Sequence, residues 1–322
     1  MTVLVTGATG LIGSNVCRLL LEDGTPVRAL VRPNSESPPL AALGAELHTG
    51  DLTNADDVRR AAEGCDAVVD CAALLGGADQ DMDAARATNV GGARNALDAG
   101  KAVGARVVSL STTTFFEHDE PLTEDSPVTR EPSDDPYTAT KAEAYIEAMR
   151  RAEAGEDIVV VIPGGTFGPA PTPERAMAST SFNRLARAAL RGRLTDYVAY
   201  PIPWVFVDDV ATAVVSAITR GQRGEKYLAF GAEDAMTTAA FLNAACELAG
   251  VEHRVADVTI APDDPAALER YGPTLVELAT RTYPVPWFDN ERTREVLDYD
   301  PVPLRYGLRR TVDWLLERGL VD

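Results

Sequence analysis

At 322 residues, with 30 Lys and Arg against 49 Asp and Glu, the chain is long enough for a full core, as one large domain or a domain plus a smaller lobe. Its net charge of −19 argues against nucleic acid and anionic membrane as partners. No stretch approaches the apolar length of a membrane span, and the short run 3–5 passes straight into glycines, as a strand does and a signal peptide does not. Cys17, Cys65, Cys71 and Cys246 lack metal-ligand spacing and read as buried free thiols of a reducing cytoplasm. Lysine occurs only at Lys101, Lys141 and Lys226. That bias fits a GC-rich genome or adaptation to high salt, which added KCl would separate by its effect on stability.

Residues 1–6 form an apolar strand, followed by Gly7-Ala8-Thr9-Gly10-Leu11-Ile12-Gly13 and a helix over 14–22. Strand, glycine turn and helix together make a dinucleotide site: the glycines let the backbone turn tightly and approach a pyrophosphate resting on the helix N-terminus. The candidate cofactor contacts here are Gly7, Thr9, Gly10, Leu11, Ile12 and Gly13. The next strand, 26–31, ends beside the adenosine ribose. A carboxylate there would suit NAD, but the chain has Arg32, whose guanidinium suits a 2′-phosphate. NADP is therefore placed ahead of NAD, with a merely solvated arginine as the alternative.

Further strands are expected over 46–49 and 67–71, with helices over 55–63 and 82–103. Asp51 and Leu52 are further candidate cofactor contacts, Asp51 placed to reach the adenine amine, and Ala72 and Ala73 are small enough for a cofactor to lie against them. A strand over 106–110 leads into Ser111-Thr112-Thr113-Thr114. Alternation on this scale predicts an α/β fold, a Rossmann-type doubly wound parallel sheet whose ligands lie outside the strand C-termini.

After an acidic loop over 117–135, Pro136 opens a helix in which Tyr137 and Lys141 share one face. A phenol beside an ammonium should titrate lower than usual, as a proton donor requires. A strand over 157–162 is followed by Pro163-Gly164-Gly165-Thr166-Phe167, a helix over 182–191 and an irregular stretch over 194–203. A strand at 204–207 and a helix from 210 then restore the alternation, with Asp208 and Asp209 as helix caps and dipole partners. Another strand is expected over 227–230. The remainder is mostly helical and reads as a smaller substrate lobe. The division is 1–165 plus 203–231 for the nucleotide domain and 166–202 plus 232–322 for the lobe. His48, His118 and His253 are isolated from one another and read as surface or loop residues, with no metal site.

These ordered motifs, with Gly50-Asp51-Leu52, Asn89-Val90-x-Gly92 and Val207-Asp208-Asp209-Val210, resemble the extended short-chain dehydrogenase/reductase family over nearly the whole chain. The segment 287–290 and the C-terminal 306–316 look most like its dihydroflavonol-reductase-like and 3β-hydroxysteroid-dehydrogenase-like branches. The resemblance implies a catalytic set. Tyr137 is the proton donor and acceptor, Lys141 lowers its pKa and holds the nicotinamide ribose, Thr112 bonds the substrate oxygen, and Asn89 supports the lysine through a water. Ser111 is the competitor for the Thr112 role. Pro163, Gly164 and Thr166 join Tyr137 and Lys141 among the cofactor contacts.

Sugar-nucleotide members of the family usually carry an asparagine where this chain has Gly165, and dehydratases an acidic pair where it has Thr113-Thr114. Thr113, Phe167, Tyr197, Tyr200 and Trp204 instead suggest an apolar substrate wall. The first reading is an NADP(H)-dependent reductase of a ketone or secondary alcohol on a small molecule. The alternatives are a sugar-nucleotide epimerase and a non-catalytic cofactor-binding regulator. Homodimerisation through the helices over 82–103 and 137–154 is a further expectation.

Overall fold

Strand β1 (Val3–Thr6) has no exposed residue, which a strand achieves only when both faces of its sheet are covered. Val3 and Val5 pack into one apolar layer with Val16, Cys17 and Leu20, while Leu4 packs into another with Val58, Ala61 and Leu97. The computed structural model describes residues 1–322 except 36, 76–80, 118–119, 129–132, 179, 263 and 322. His118 and parts of the acidic loop fall outside the described residues.

From β1 the chain runs through helix α1 (Leu11–Glu22), β2 (Val27–Val31), α2 (Pro38–Ala42), β3 (Glu46–Thr49), α3 (Ala55–Ala62) and β4 (Ala67–Asp70). Next come α4 (Met82–Arg86), a π-helical turn (Ala87–Gly92), α5 (Ala93–Val103), β5 (Arg106–Leu110), α6 (Pro136–Glu153) and β6 (Ile158–Pro163). The helical region expected over 82–103 is continuous, with a π turn inserted in its middle. α1 starts at Leu11, three residues earlier than the sequence suggests, because Gly13 fits inside its first turn against the Gly7 carbonyl.

The alternation then lapses. β7 (Gly165–Phe167), α7 (Pro173–Ala176), α8 (Phe182–Leu190), β8 (Asp196–Val198), β9 (Pro201–Ile202) and β10 (Trp204–Phe206) precede α9 (Val207–Thr219) and β11 (Lys226–Ala229). β10 does not rejoin the main sheet as the alternation suggested, but pairs with β7. α9 begins at Val207 with Asp208 and Asp209 in its first turn, where dipole partners belong, but it is capped by neither. Asp208 instead pairs with Arg18 at 2.6 Å, and Asp209 accepts the Val302 N–H at 3.1 Å. The C-terminal part contributes β12 (Met236–Thr237), α10 (Thr238–Ala249), β13 (Ala256–Val258), α11 (Pro265–Thr280), α12 (Glu291–Leu297) and α13 (Leu304–Glu317).

The seven-stranded sheet has the order β11-β6-β5-β4-β1-β2-β3, every pair parallel. It is a Rossmann-type sheet, and strand order reverses between β1 and β4, so the strand ends open a crevice there. A separate core, built on Phe167, Trp204, Phe206, Phe241, Leu308 and Leu315, fills the lobe beyond it. Among the described residues, no helix is long and apolar enough to cross a membrane.

Candidate active site

The crevice is closed on one side by the glycine turn. Gly7 has φ +60, and a Cβ there would lie 2.6 Å from the Ala72 nitrogen, so loops from β1 and β4 touch backbone to backbone. A Cβ on Gly13 would lie 2.3 Å from the Gly7 carbonyl oxygen. α1 has Gly10 at its N-cap, no side-chain cap and no acid in its first turn, so the dipole's positive end stays uncompensated. Thr9, Gly10, Leu11 and Ile12 are half-buried along this turn, as are Ala72, whose backbone lies against Gly7, and Ala73 after it. The cradle suits a pyrophosphate.

The other cofactor candidates divide. Arg32 and Asp51 line a common recess of about 400 Å³. The Asp51 carboxylate accepts from the Thr53 amide and hydroxyl at 2.8 and 2.7 Å. These bonds hold it below the usual carboxylate range, helped by the Arg32 field. Leu52 leaves the set. Its side chain is buried against Gly92, and its carbonyl accepts from Asn95 at 2.8 Å. Pro163, Gly164 and Thr166 lie at the end of β6 and in β7, where the Thr166 hydroxyl donates to the Gly164 carbonyl at 3.0 Å.

α6 carries the opening pair. Asp135 caps it by accepting the Thr138 N–H at 2.7 Å, and Pro136 occupies the first turn. Lys141 is buried one turn beyond Tyr137, and its Nζ donates to the Leu110 carbonyl at 2.6 Å, tying α6 to the end of β5. That strand end also delivers Thr112, whose side chain interacts with the Tyr137 hydroxyl. The pKa lowering expected for Tyr137 is reversed. Burial pushes it above its ordinary value, with Asp135 adding to the push and the Thr112 hydrogen bond opposing it. The Lys141 ammonium is engaged by Leu110 and by the field of Asp70 rather than by the phenol.

Asp70 was not singled out from the sequence. It is a buried carboxylate at the end of β4, in register with Thr6 and Ser109, and it accepts the Thr6 hydroxyl at 2.5 Å. Burial raises the Asp70 carboxyl and lowers Lys141, while their mutual attraction works against both shifts. The available signal was an acid ending the apolar run Ala67-Val68-Val69. Asn89, inside the π turn, is committed to the loop after β4. Its Oδ1 accepts the Leu74 N–H at 2.7 Å, while its Nδ2 donates to the Leu74 carbonyl at 3.1 Å and the Thr140 hydroxyl at 2.9 Å. In this arrangement it braces the loop and reaches α6 directly through Thr140.

Residues 3–230 match the model of the NAD dependent epimerase/dehydratase family. The chain belongs to that family. Its members fall in the extended short-chain dehydrogenase/reductase group. "Sterol demethylase protein B" of Methylococcus capsulatus is 29% identical over 342 residues, covering 100% of both chains. A "3 beta-hydroxysteroid dehydrogenase/Delta 5-->4-isomerase" of Mycobacterium tuberculosis is 32% identical over 204 residues, 60% of this chain and 52% of the relative. Among solved structures, gox2253 superposes with a TM-score of 0.86 at 26% identity, covering 100% of this chain and 99% of that one.

The substrate-side candidates of this epimerase/dehydratase-family chain separate by burial. Phe167 has no exposed surface and meets Phe241 edge-on at 4.9 Å. Trp204 stacks on Phe241 at 3.8 Å and donates its indole N–H to the Met236 carbonyl at 2.9 Å. Both belong to the lobe core rather than to a wall, because the short β7–β10 pair turns them inward. Tyr197 and Tyr200 are half-buried, and Tyr197 meets Tyr271 of α11 edge-on at 6.4 Å. Thr113 is half-buried beside Thr112, and its neighbour Thr114 accepts from the Thr138 hydroxyl at 3.1 Å. His48 lies in β3 and His253 contacts the Leu194 carbonyl at 2.7 Å.

Proposed function

We propose that this chain is an NADP(H)-dependent oxidoreductase that interconverts a ketone and a secondary alcohol on a small, apolar organic molecule, with Tyr137 as acid and base. The observation that carries the reading is the convergence of Tyr137, Thr112 and Lys141 where α6 meets the end of β5. With its pKa raised, the phenol is neutral at ordinary pH and holds its proton at Oη, ready for a carbonyl oxygen. Thr112, beside that hydroxyl, offers the second hydrogen bond to the same oxygen. The buried ammonium of Lys141 stabilises negative charge as it develops on the phenol, and Asp70 helps keep the lysine charged. A nicotinamide cofactor, when bound, supplies or takes up the hydride; the glycine turn and the α1 N-terminus would hold its pyrophosphate and Arg32 its 2′-phosphate.

The two named relatives support an apolar substrate, since their names refer to sterols and hydroxysteroids. So do Tyr197, Tyr200 and Tyr271, three phenol rings on the lobe side. A second reading, the sugar-nucleotide epimerase, draws on the family name. Against it, a Cβ at Gly165 would lie 2.4 Å from Ile202 Cγ2, leaving no room for the asparagine expected to contact a diphosphate. A cofactor-binding regulator without turnover is disfavoured by the complete tyrosine, lysine and threonine set.

A panel of ketones and alcohols followed by cofactor absorbance, with NADP(H) and NAD(H) compared, tests the proposal. Turnover of apolar ketones with NADPH supports it. Thermal stabilisation by a nucleoside-diphosphate sugar well beyond that by NADP alone, with no ketone turned over, would replace it by the epimerase.

A further inference from the structure

We infer that Arg175 is a second phosphate-binding residue, completing with Arg32 a two-guanidinium clamp for the phosphomonoester on the cofactor's adenosine ribose. The inference rests on the reading that the cofactor is NADP(H). Its starting point is the recess of about 400 Å³ lined by Arg32, Pro33, Asn34, Ser35, Asp51 and Arg175. Arg32 ends the β2 side of the nucleotide site, whereas Arg175 comes from α7, some 140 residues later, on the segment that leads into the substrate lobe.

Surface arginines in this acidic chain are commonly held by carboxylates. Arg18 is paired with Asp208 and Glu22, Arg28 with Glu46, and Arg292 with Asp125 and Glu225. Others, such as Arg94, Arg184 and Arg187, have no such partner among the described residues, and Arg32 and Arg175 are of this kind: neither guanidinium makes a hydrogen bond or an ion pair there, and both line the same recess. Among the described residues that line the recess the one carboxylate, Asp51, is turned onto Thr53 and reaches Arg32 through its field. Two like charges left to share a recess repel each other unless an anion lies between them. A phosphomonoester carries about −1.5 to −2 at neutral pH, and its oxygens match the forked donors of guanidinium.

Both arginines sit on anchored backbone. The Ser35 amide and hydroxyl donate to the Arg32 carbonyl at 3.0 and 2.6 Å, folding 32–35 into a turn. On the other side, the Asn15 amide donates to the Pro169 carbonyl at 3.0 Å, and the buried Thr172 hydroxyl meets the buried Ser14 hydroxyl at 3.1 Å. The Ala176 carbonyl, next to Arg175, accepts from Ser181 and Asn183 at 2.6 and 3.1 Å. Segment 169–176 therefore crosses the first turns of α1 as a fixed strap and brings Arg175 to the recess. The clamp thus joins the two parts of the molecule, so the 2′-phosphate is read by the lobe as well as by the nucleotide domain.

The test measures dissociation constants of NADPH, NADH and adenosine 2′,5′-bisphosphate for the wild type, Arg32→Gln and Arg175→Gln, by calorimetry on the full chain. Losing a hydrogen-bonded charge partner should weaken NADPH and the bisphosphate about ten- to a hundredfold in either variant, with NADH as the reference ligand. The preference for NADPH over NADH should shrink by the same factor. If Arg32→Gln abolishes the preference and Arg175→Gln leaves it intact, the clamp is wrong and the NADP reading stands. A wild type that binds NADH as tightly as NADPH overturns both.

Discussion

Replacing Tyr137 by phenylalanine removes one oxygen from a half-buried ring and little else, so it isolates the proton donor. The lost hydroxyl interacts with the Thr112 side chain, an exchange worth about 1 kcal/mol of stability in a fold of this kind. The variant should therefore melt within a few degrees of the wild type and bind NADPH with unchanged affinity, because the glycine turn, Arg32 and Lys141 are untouched. General acid catalysis by a positioned group contributes about 10²- to 10⁴-fold, or roughly 2.7–5.4 kcal/mol of barrier at 1.36 kcal/mol per decade. Thr112 lies close enough to polarise the substrate oxygen but has no second proton source behind it among the described contacts, so the loss should fall well inside that range. The assay is single-turnover oxidation of bound NADPH on mixing with an active ketone, alongside a fluorescence titration of NADPH. A Tyr137→Phe enzyme within about tenfold of wild-type rate refutes the assignment. A variant that fails to bind NADPH would show instead that the phenol serves binding.

Three further outcomes follow from the packing. Gly165→Asn should destabilise the chain by about 1–3 kcal/mol in urea denaturation, because its Cβ would sit 2.4 Å from Ile202 Cγ2; a neutral effect would reopen the epimerase reading. Phe167→Ala should cost about 3–5 kcal/mol of stability as a core truncation, and a stable variant with only a raised KM would return Phe167 to the substrate wall. Asp209 is pushed up to about 7 by burial, with Val302 N–H opposing and Asp208 and Asp300 adding to the push. Its folded pKa thus exceeds the unfolded value near 3.9, so the folded state holds a proton that the unfolded chain has already released. Its contribution to stability is present below about pH 4 and is lost as the pH rises towards 7. Wild-type stability relative to Asp209→Asn, measured by denaturation at several pH values, should fall over that window, and a constant difference contradicts the assignment.

Much of the nucleotide half was legible because its signals are local. A four-residue apolar strand, spaced glycines and a helix cap are short-range patterns, and Gly7, Gly13 and Pro136 occupy the backbone positions that their chemistry demands. The same locality misled where contact partners are distant in sequence. Trp204 to Phe206 has the pattern of a core strand, yet β10 pairs with β7 outside the main sheet. Phe167 and Trp204 looked like pocket residues until Phe241, from a helix far along the chain, closed over both. Burial also reversed the expected Tyr137 shift, since i,i+4 spacing states which residues share a face but not how much water remains there.

By itself, the order of residues determined the alternating fold, the glycine cradle and the Tyr137–Lys141 face, all built from neighbours within a few turns of chain. Only the tertiary structure decided that Lys141 hangs from the Leu110 carbonyl, that Asp70 lies buried within its field, and that Arg175 shares a recess with Arg32. Those juxtapositions join segments 31 to about 140 residues apart. Their charges act through space, and no local pattern records them.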